Sequence, residues 1–213
     1  MLLWLLLPIC FTAIGLVGIA AVCVVAVSHG SVNITESFPL ISYCGSYQPE
    51  SCIFSQICNI CSLLGMLIVV IRYQQIRDLD CHPKTNMACL ALGLTSSSGI
   101  SLMGNFQHSA LMVLHFFGMF LAFIPGLVYF ALQLWQMYHS APCHHKHWLG
   151  PLRVACCSAC TVLLITAMVL FGVDHIPGAV ACEGLVVTLF FCQFGLLAVD
   201  FKQIDSLKLS LSK

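Results

Sequence analysis

Residues 3–28 read L-W-L-L-L-P-I-C-F-T-A-I-G-L-V-G-I-A-A-V-C-V-V-A-V-S and contain no charged side chain. A transmembrane helix needs about 20 mostly apolar residues to cross the hydrocarbon core. The stretch exceeds the apolar region of about 7–15 residues that is typical of a signal peptide, and no basic residue precedes it. It therefore predicts an uncleaved membrane-spanning helix, with a cleaved signal peptide as the alternative.

The composition of the whole chain indicates the same class. Hydrophobic residues make up 60% of the sequence and charged residues 8%, whereas a soluble domain carries about 25% charged residues. A soluble protein of this length could not keep so much apolar surface away from water. The net charge is zero, and no basic cluster is present, so nucleic acid is not an expected partner.

Five further apolar runs follow the first one. The predicted fold class is therefore all-α, a polytopic membrane protein with six transmembrane helices in a single domain over residues 1–205, ending in a short tail at 206–213. Residues 29–52 form the longest loop, on the outer side. The six spans are predicted at about 3–28, 53–71, 87–106, 109–137, 154–173 and 177–199.

The positions of the basic residues predict the orientation. Under the six-span count every Lys and Arg falls on one side of the membrane: Arg72, Arg77, Lys84, Lys146, Arg153, Lys202, Lys208 and Lys213. Loops rich in Lys and Arg remain in the cytosol. We therefore expect the N- and C-termini to be cytosolic.

The outer loop contains two candidate modifications. Asn33-Ile34-Thr35 is a sequon, so Asn33 is a candidate glycosylation site. Cys44 and Cys52 flank residues that can reverse the chain, and a disulfide between them would stabilise the fold by about 2–3 kcal/mol. The alternative is two free thiols, with Cys52 already entering the second span.

Several motifs resemble a known family. The outer-loop runs F-P-L-I-S-Y-C-G and P-E-S-C-I-F, and the motif Gly104-Asn105-Phe106-Gln107 after the third span, resemble the DRAM family. That family comprises the damage-regulated autophagy modulators and the related transmembrane protein 150 group. Runs in the later spans are similar to that group: Gly150-Pro151-Leu152-Arg153, Ala181-Cys182-Glu183 and residues 194–201.

The resemblance implies a six-span protein without catalytic activity. It implies residence in plasma, endosomal, lysosomal or autophagosomal membranes, and modulation of autophagy and of survival under nutrient stress. Other relatives are linked to phosphoinositide synthesis or to mechanically activated currents. Two alternative functions therefore remain, a scaffold for a phosphoinositide kinase and an ion channel.

Glu183 is the clearest ionisable residue inside a predicted span, and such residues are functional candidates. It is expected to pair with an outer-face donor such as His108 or Gln107, or alternatively to line an ion path. Asp174, His175 and Asp200 fall at span ends, where water is expected to reach them.

Small residues recur every four positions on the fourth span. Gly118, Ala122 and Gly126 therefore predict a face that packs closely against another helix. The histidine-rich loop 139–148 suggests zinc, but it lacks the paired spacing of a tetrahedral site, and a solvated interfacial loop is favoured. No metal or cofactor is predicted.

Enzyme signatures are absent from the sequence, including the phosphate-binding loop, His-Glu-x-x-His and Gly-x-Ser-x-Gly. The leading hypothesis is a non-enzymatic regulator of autophagy and endolysosomal traffic. Its expected partners are the bilayer, unidentified membrane or cytosolic proteins, and a second copy of the chain. The alternatives are an ion channel or transporter, or a subunit of one, and a scaffold that recruits a phosphoinositide kinase.

Overall fold

The structure, a computed structural model, describes residues 2–33, 39–79, 82–139 and 146–202. Ile34 and Thr35 of the sequon, residues 140–145 of the histidine-rich loop and the tail 206–213 lie outside the described residues. The helices of the described ranges are α1 (Leu2–Ser28), α2 (Ile41–Cys44), α3 (Glu50–Asp78), α4 (Pro83–Asn105), α5 (Met112–His139), α6 (Lys146–Gly172) and α7 (Ile176–Phe201).

Six of these helices, all except α2, are long and apolar enough to cross a membrane. The predicted all-α class with six membrane helices is confirmed. Their outward faces are apolar: Val113 is 82% exposed, Met168 is 65% exposed and Val162 is 62% exposed. Such faces suit contact with lipid rather than with water.

The turn between α6 and α7 ends before Pro177 and Gly178. The structure begins α7 at Ile176, so both residues lie in its first turn. Proline is tolerated there because the first backbone N–H groups of a helix have no intrahelical acceptor. Asp174, with a φ of 60°, reverses the chain instead, and the ring of His175 accepts a hydrogen bond from the Gly178 N–H at 3.3 Å.

Helices that follow one another in sequence pack as neighbours, and α1 closes the bundle by contacting both α3 and α7. Aromatic rings fill the centre. The Phe11 ring lies 4.6 Å from that of Phe194, and Phe194 lies 5.0 Å from Phe130. Phe123 and Phe190 join α5 to α7 with ring centroids 5.1 Å apart. These contacts connect α1, α5 and α7 across the interior.

The closest helix approach is between α4 and α5. A Cβ on Gly99 would lie 2.3 Å from the backbone nitrogen of Ala122, and one on Gly118 would lie 2.5 Å from that of Met103. A Cβ on Gly126 would lie 2.6 Å from the ring of Phe190. The small residues of α5 thus occupy positions where no larger side chain fits.

We expect Gly118→Ala to destabilise the protein by about 1–3 kcal/mol, because the added methyl overlaps the α4 backbone and the two helices must separate. The measurement is the thermal unfolding midpoint in detergent. Gly184→Ala on α7 is the matched control, since nothing lies within 4 Å of its added Cβ. Equal midpoints for the two variants would contradict the close approach.

Candidate functional site

One end of the bundle carries the basic side chains, and we call it the basic end. Helices α3, α5 and α7 finish there, and α4 and α6 begin there. The opposite end, which we call the loop end, contains α2 and the short connections 106–111 and 173–175. Each end contains a carboxylate on α7 that is at least partly buried, and each carboxylate is held in a different way.

At the basic end, Asp200 lies between two guanidinium groups. Its carboxylate accepts a hydrogen bond from Nη2 of Arg153, and its Oδ1 lies 3.5 Å from Nη2 of Arg72. All three side chains are buried. We call these residues the Asp200 cluster. It joins α3, α6 and α7 through charges that the low local dielectric leaves only weakly screened.

Amide side chains complete the cluster. Arg72 donates from Nε to Oε1 of Gln133 at 2.9 Å and from Nη1 to Oε1 of Gln75 at 2.7 Å. Gln75 in turn donates from Nε2 to the backbone carbonyl of Asp200 at 2.8 Å, and Nη2 of Arg153 donates to the Leu196 carbonyl at 3.1 Å. Four helices, including α5 through Gln133, therefore meet in one hydrogen-bonded network.

The sequence prediction that water reaches Asp200 is wrong. The predicted spans ended at residue 71 and began at residue 154, which placed Arg72 and Arg153 just outside the bundle. Helix α3 continues to Asp78 and α6 begins at Lys146, so both arginines lie within helices and turn inward. A signal was available: Asp200 is the only charged residue in the apolar run 184–201.

At the loop end, the carboxylate of Glu183 binds the long outer loop. It does not pair with His108 or Gln107, as the sequence predicted. Its Oε2 accepts the Ile41 backbone N–H at 2.9 Å, and Ser42 lies beside it. The first N–H groups of a helix such as α2 lack acceptors. Glu183 supplies one, because the loop folds back over α7.

A second carboxylate fixes the beginning of the same loop. Glu50, the first residue of α3, is fully buried. Its Oε1 accepts from the Ser31 hydroxyl at 3.0 Å and contacts Nδ1 of His29 at 3.2 Å. Glu50 and Glu183 therefore attach the beginning and the middle of the outer loop to different helices.

The disulfide predicted between Cys44 and Cys52 does not form in the structure, where both are free cysteines. Cys52 is exposed on the first turn of α3, whereas Cys44 is buried beside Cys23 of α1. The neighbouring Cys23 thiol and burial raise the pKa of the Cys44 thiol. The inward turn of α2 separates the two predicted partners.

The Gly104-Asn105-Phe106-Gln107 motif builds the corner between α4 and α5. Asn105 and Asn59 exchange side-chain hydrogen bonds at 2.9 and 3.1 Å, and the Ser55 hydroxyl donates to the Gly104 carbonyl at 2.6 Å. The Phe106 carbonyl lies 2.8 Å from Nδ1 of the buried His115, and the Gln107 carbonyl accepts two backbone N–H groups. The motif therefore has a structural role: its hydrogen bonds fix the connection between α4 and α5.

Two further predictions concern the loops. Asn33 is exposed after the end of α1, while the rest of its sequon lies outside the described residues. Within the ranges that the structure describes, no group of three His, Cys, Asp or Glu side chains is arranged to hold a metal ion.

Asp200→Asn should destabilise the protein by about 3–5 kcal/mol, because it leaves two buried guanidinium groups without a counter-charge. Thermal unfolding in detergent measures this loss. Asp78→Asn is the control: Asp78 lies 4.0 Å from Arg77 at a partly exposed site, and such pairs contribute about 0–1 kcal/mol. A loss for Asp200→Asn no larger than that of the control would contradict the importance of the cluster.

Glu183→Ala should release α2 from α7 and expose the Cys44 thiol. We expect the rate of Cys44 alkylation to rise several-fold relative to that of the exposed Cys52 on the same chain, as read by mass spectrometry. Thr188→Ala is the control, because the Thr188 hydroxyl bonds only within α7, to the Gly184 carbonyl at 2.8 Å. Unchanged protection of Cys44 in Glu183→Ala would show that the loop is held by other contacts.

Comparison with known proteins places this chain in a family. The family model described as the Frag1/DRAM/Sfk1/Cwh43P N-terminal domain matches residues 3–204. The chain is 47% identical over 210 residues to the modulator of macroautophagy TMEM150B of Danio rerio, covering 99% of this chain and 90% of that relative.

More distant relatives align over nearly the same length. Identity is 40% to TMEM150B of Homo sapiens, covering 94% of this chain and 87% of that relative, and 30% to transmembrane protein 150A of Xenopus laevis, covering 95% and 85%. No solved structure matches the chain. The resemblance noted from the motifs is confirmed, and the chain belongs to the Frag1/DRAM family.

Proposed function

We propose that this protein is a multi-pass membrane regulator that modulates macroautophagy without catalysing a reaction. The observation that carries the proposal is similarity over nearly the whole chain to relatives named as modulators of macroautophagy. Those names describe regulation rather than catalysis. The buried ionisable groups described above also have structural partners, and none is arranged as a nucleophile beside a general base.

The finer proposal concerns place and process. The protein acts in endolysosomal traffic and in cell survival under nutrient stress, at plasma, endosomal, lysosomal or autophagosomal membranes. The basic end faces the cytosol, because Lys and Arg are retained on that side. The outer loop, with Asn33 and α2, then faces the lumen or the exterior.

The Asp200 cluster suggests how the basic end contributes. By joining α3, α5, α6 and α7, it holds the cytosolic ends of four helices in one arrangement. A cytosolic or membrane partner would meet this surface, where Lys84 is exposed in the first turn of α4. The regulator then works by presenting a fixed surface, and the buried charges stabilise that surface.

The test is autophagic flux in cells that lack the protein, in cells that overexpress it, and in deleted cells that re-express it, each fed and starved. Flux should differ between the first two and be restored by the wild-type chain. Lys84→Glu should reduce rescue at an unchanged protein level, and Lys202→Glu, the matched charge reversal on another exposed residue of the same end, should reduce it as well.

Identical flux in cells that lack and cells that overexpress the protein would overturn the regulatory proposal. Equal rescue by wild type and Lys84→Glu would overturn only the contact surface. A current carried by the purified protein in liposomes, and altered by Glu183→Ala, would point to a channel instead.

A further inference from the structure

A cavity of about 460 Å³ lies between α5, α6 and α7 in the half of the bundle nearest the loop end. Its volume falls within the range of about 300–1,000 Å³ that is typical of small-molecule sites. Its walls are apolar, with Phe116, Phe120, Phe123 and Phe171 among aliphatic side chains such as Leu164 and Val187. The cavity exists because α5 and α6 pack less closely than the other neighbouring long helices.

The cavity opens toward lipid. Phe120 and Met168, on the two helices that border it, are 57% and 65% exposed, and both belong to helices able to cross a membrane. Apolar cavities of this kind do not hold water stably. An occupant would therefore enter sideways from the bilayer.

One end of the cavity is polar. Ser42, His108 and Glu183 line it at the loop end. Among the described residues, Nε2 of His108 has no hydrogen-bond partner although it is shielded from solvent. Partial burial lowers the pKa of His108, so its ring is neutral near pH 7 and carries one donor and one acceptor. Together these side chains can both accept and donate one hydrogen bond to a small head group.

These features restrict the chemistry of the occupant. A phosphate head would be repelled by the Glu183 carboxylate, and a lipid with two chains would leave most of its atoms outside the cavity. A rigid apolar body with a single hydroxyl matches both the apolar walls and the small polar end. Rigidity also limits the entropy lost on binding.

We propose that this cavity binds a membrane sterol, with the sterol hydroxyl at Glu183, His108 and Ser42 and the ring system against Phe120, Phe123 and Met168. The sterol hydroxyl donates to the carboxylate and accepts from a neighbouring donor. Binding would join α6 to α5, the neighbouring long helices between which protein contacts are sparsest. The inference does not depend on the regulatory role proposed above.

The experiment uses the full chain in phosphatidylcholine nanodiscs containing a photoactivatable sterol. Labelled peptides are mapped by mass spectrometry. We expect labels on α5 and α6 residues that line the cavity, and at least a five-fold loss of labelling in the presence of excess unlabelled sterol. Labels that map elsewhere, or labelling that persists in excess unlabelled sterol, would overturn the proposal. This outcome is read on the wild-type chain alone.

Variants locate the site. Ala167→Phe fills the cavity and should reduce labelling at least five-fold, whereas Val169→Phe, two residues away on α6 and 57% exposed to the outside, should not. Glu183→Gln removes the charge but keeps an acceptor for the Ile41 N–H, and should weaken labelling several-fold. Unfolding midpoints near the wild-type value establish that each variant is folded.

A photoactivatable phosphatidylcholine serves as the lipid control. We expect it to label the cavity weakly and to compete poorly with the sterol probe. If it labels the same peptides as strongly and displaces the sterol, the cavity takes only a surrounding lipid chain and the sterol assignment is overturned. Equal labelling of Ala167→Phe and Val169→Phe would overturn it as well.

Discussion

The buried contact of Asp200 with Arg72 and Arg153 is the interaction on which the arrangement of the helices most depends. In a bilayer the helices gain little from hydrophobic contact with one another, because lipid solvates their faces equally well. Specific polar contacts and close packing must then select one arrangement. A carboxylate between two guanidinium groups is satisfied only when α3, α6 and α7 meet in one register, and Gln133 adds α5 to the same network.

At the loop end the carboxylates also need polar partners, and there the partners are not arginines. Glu183 and Glu50 have no arginine nearby and instead contact a backbone N–H, a hydroxyl and a histidine of the outer loop. A buried carboxylate must find donors, so the loop is drawn onto the bundle and α2 is turned inward. This folding places Ser42 next to the cavity and buries Cys44 away from Cys52.

Packing is uneven around the bundle. Glycines at positions 99 and 118 bring the backbones of α4 and α5 together, whereas large side chains line the facing surfaces of α5 and α6 and leave the cavity between them. The tight pair and the central aromatic rings form a fixed framework, while α6 is attached mainly through α7 and Arg153. The cavity therefore lies where a membrane molecule could add the missing contacts.

The sequence alone determined the six membrane helices, because crossing a bilayer requires apolar runs of a set length, and it determined the family through motifs such as Gly104-Asn105-Phe106-Gln107. It also singled out Glu183, since a carboxylate in an apolar run is conspicuous. Only the tertiary structure decided the partners: Ile41 for Glu183, two arginines for Asp200, and Cys23 for Cys44. The partners of these side chains are distant in sequence. The helices also extend past the apolar runs, and this extension determines which ionisable side chains point into the bundle.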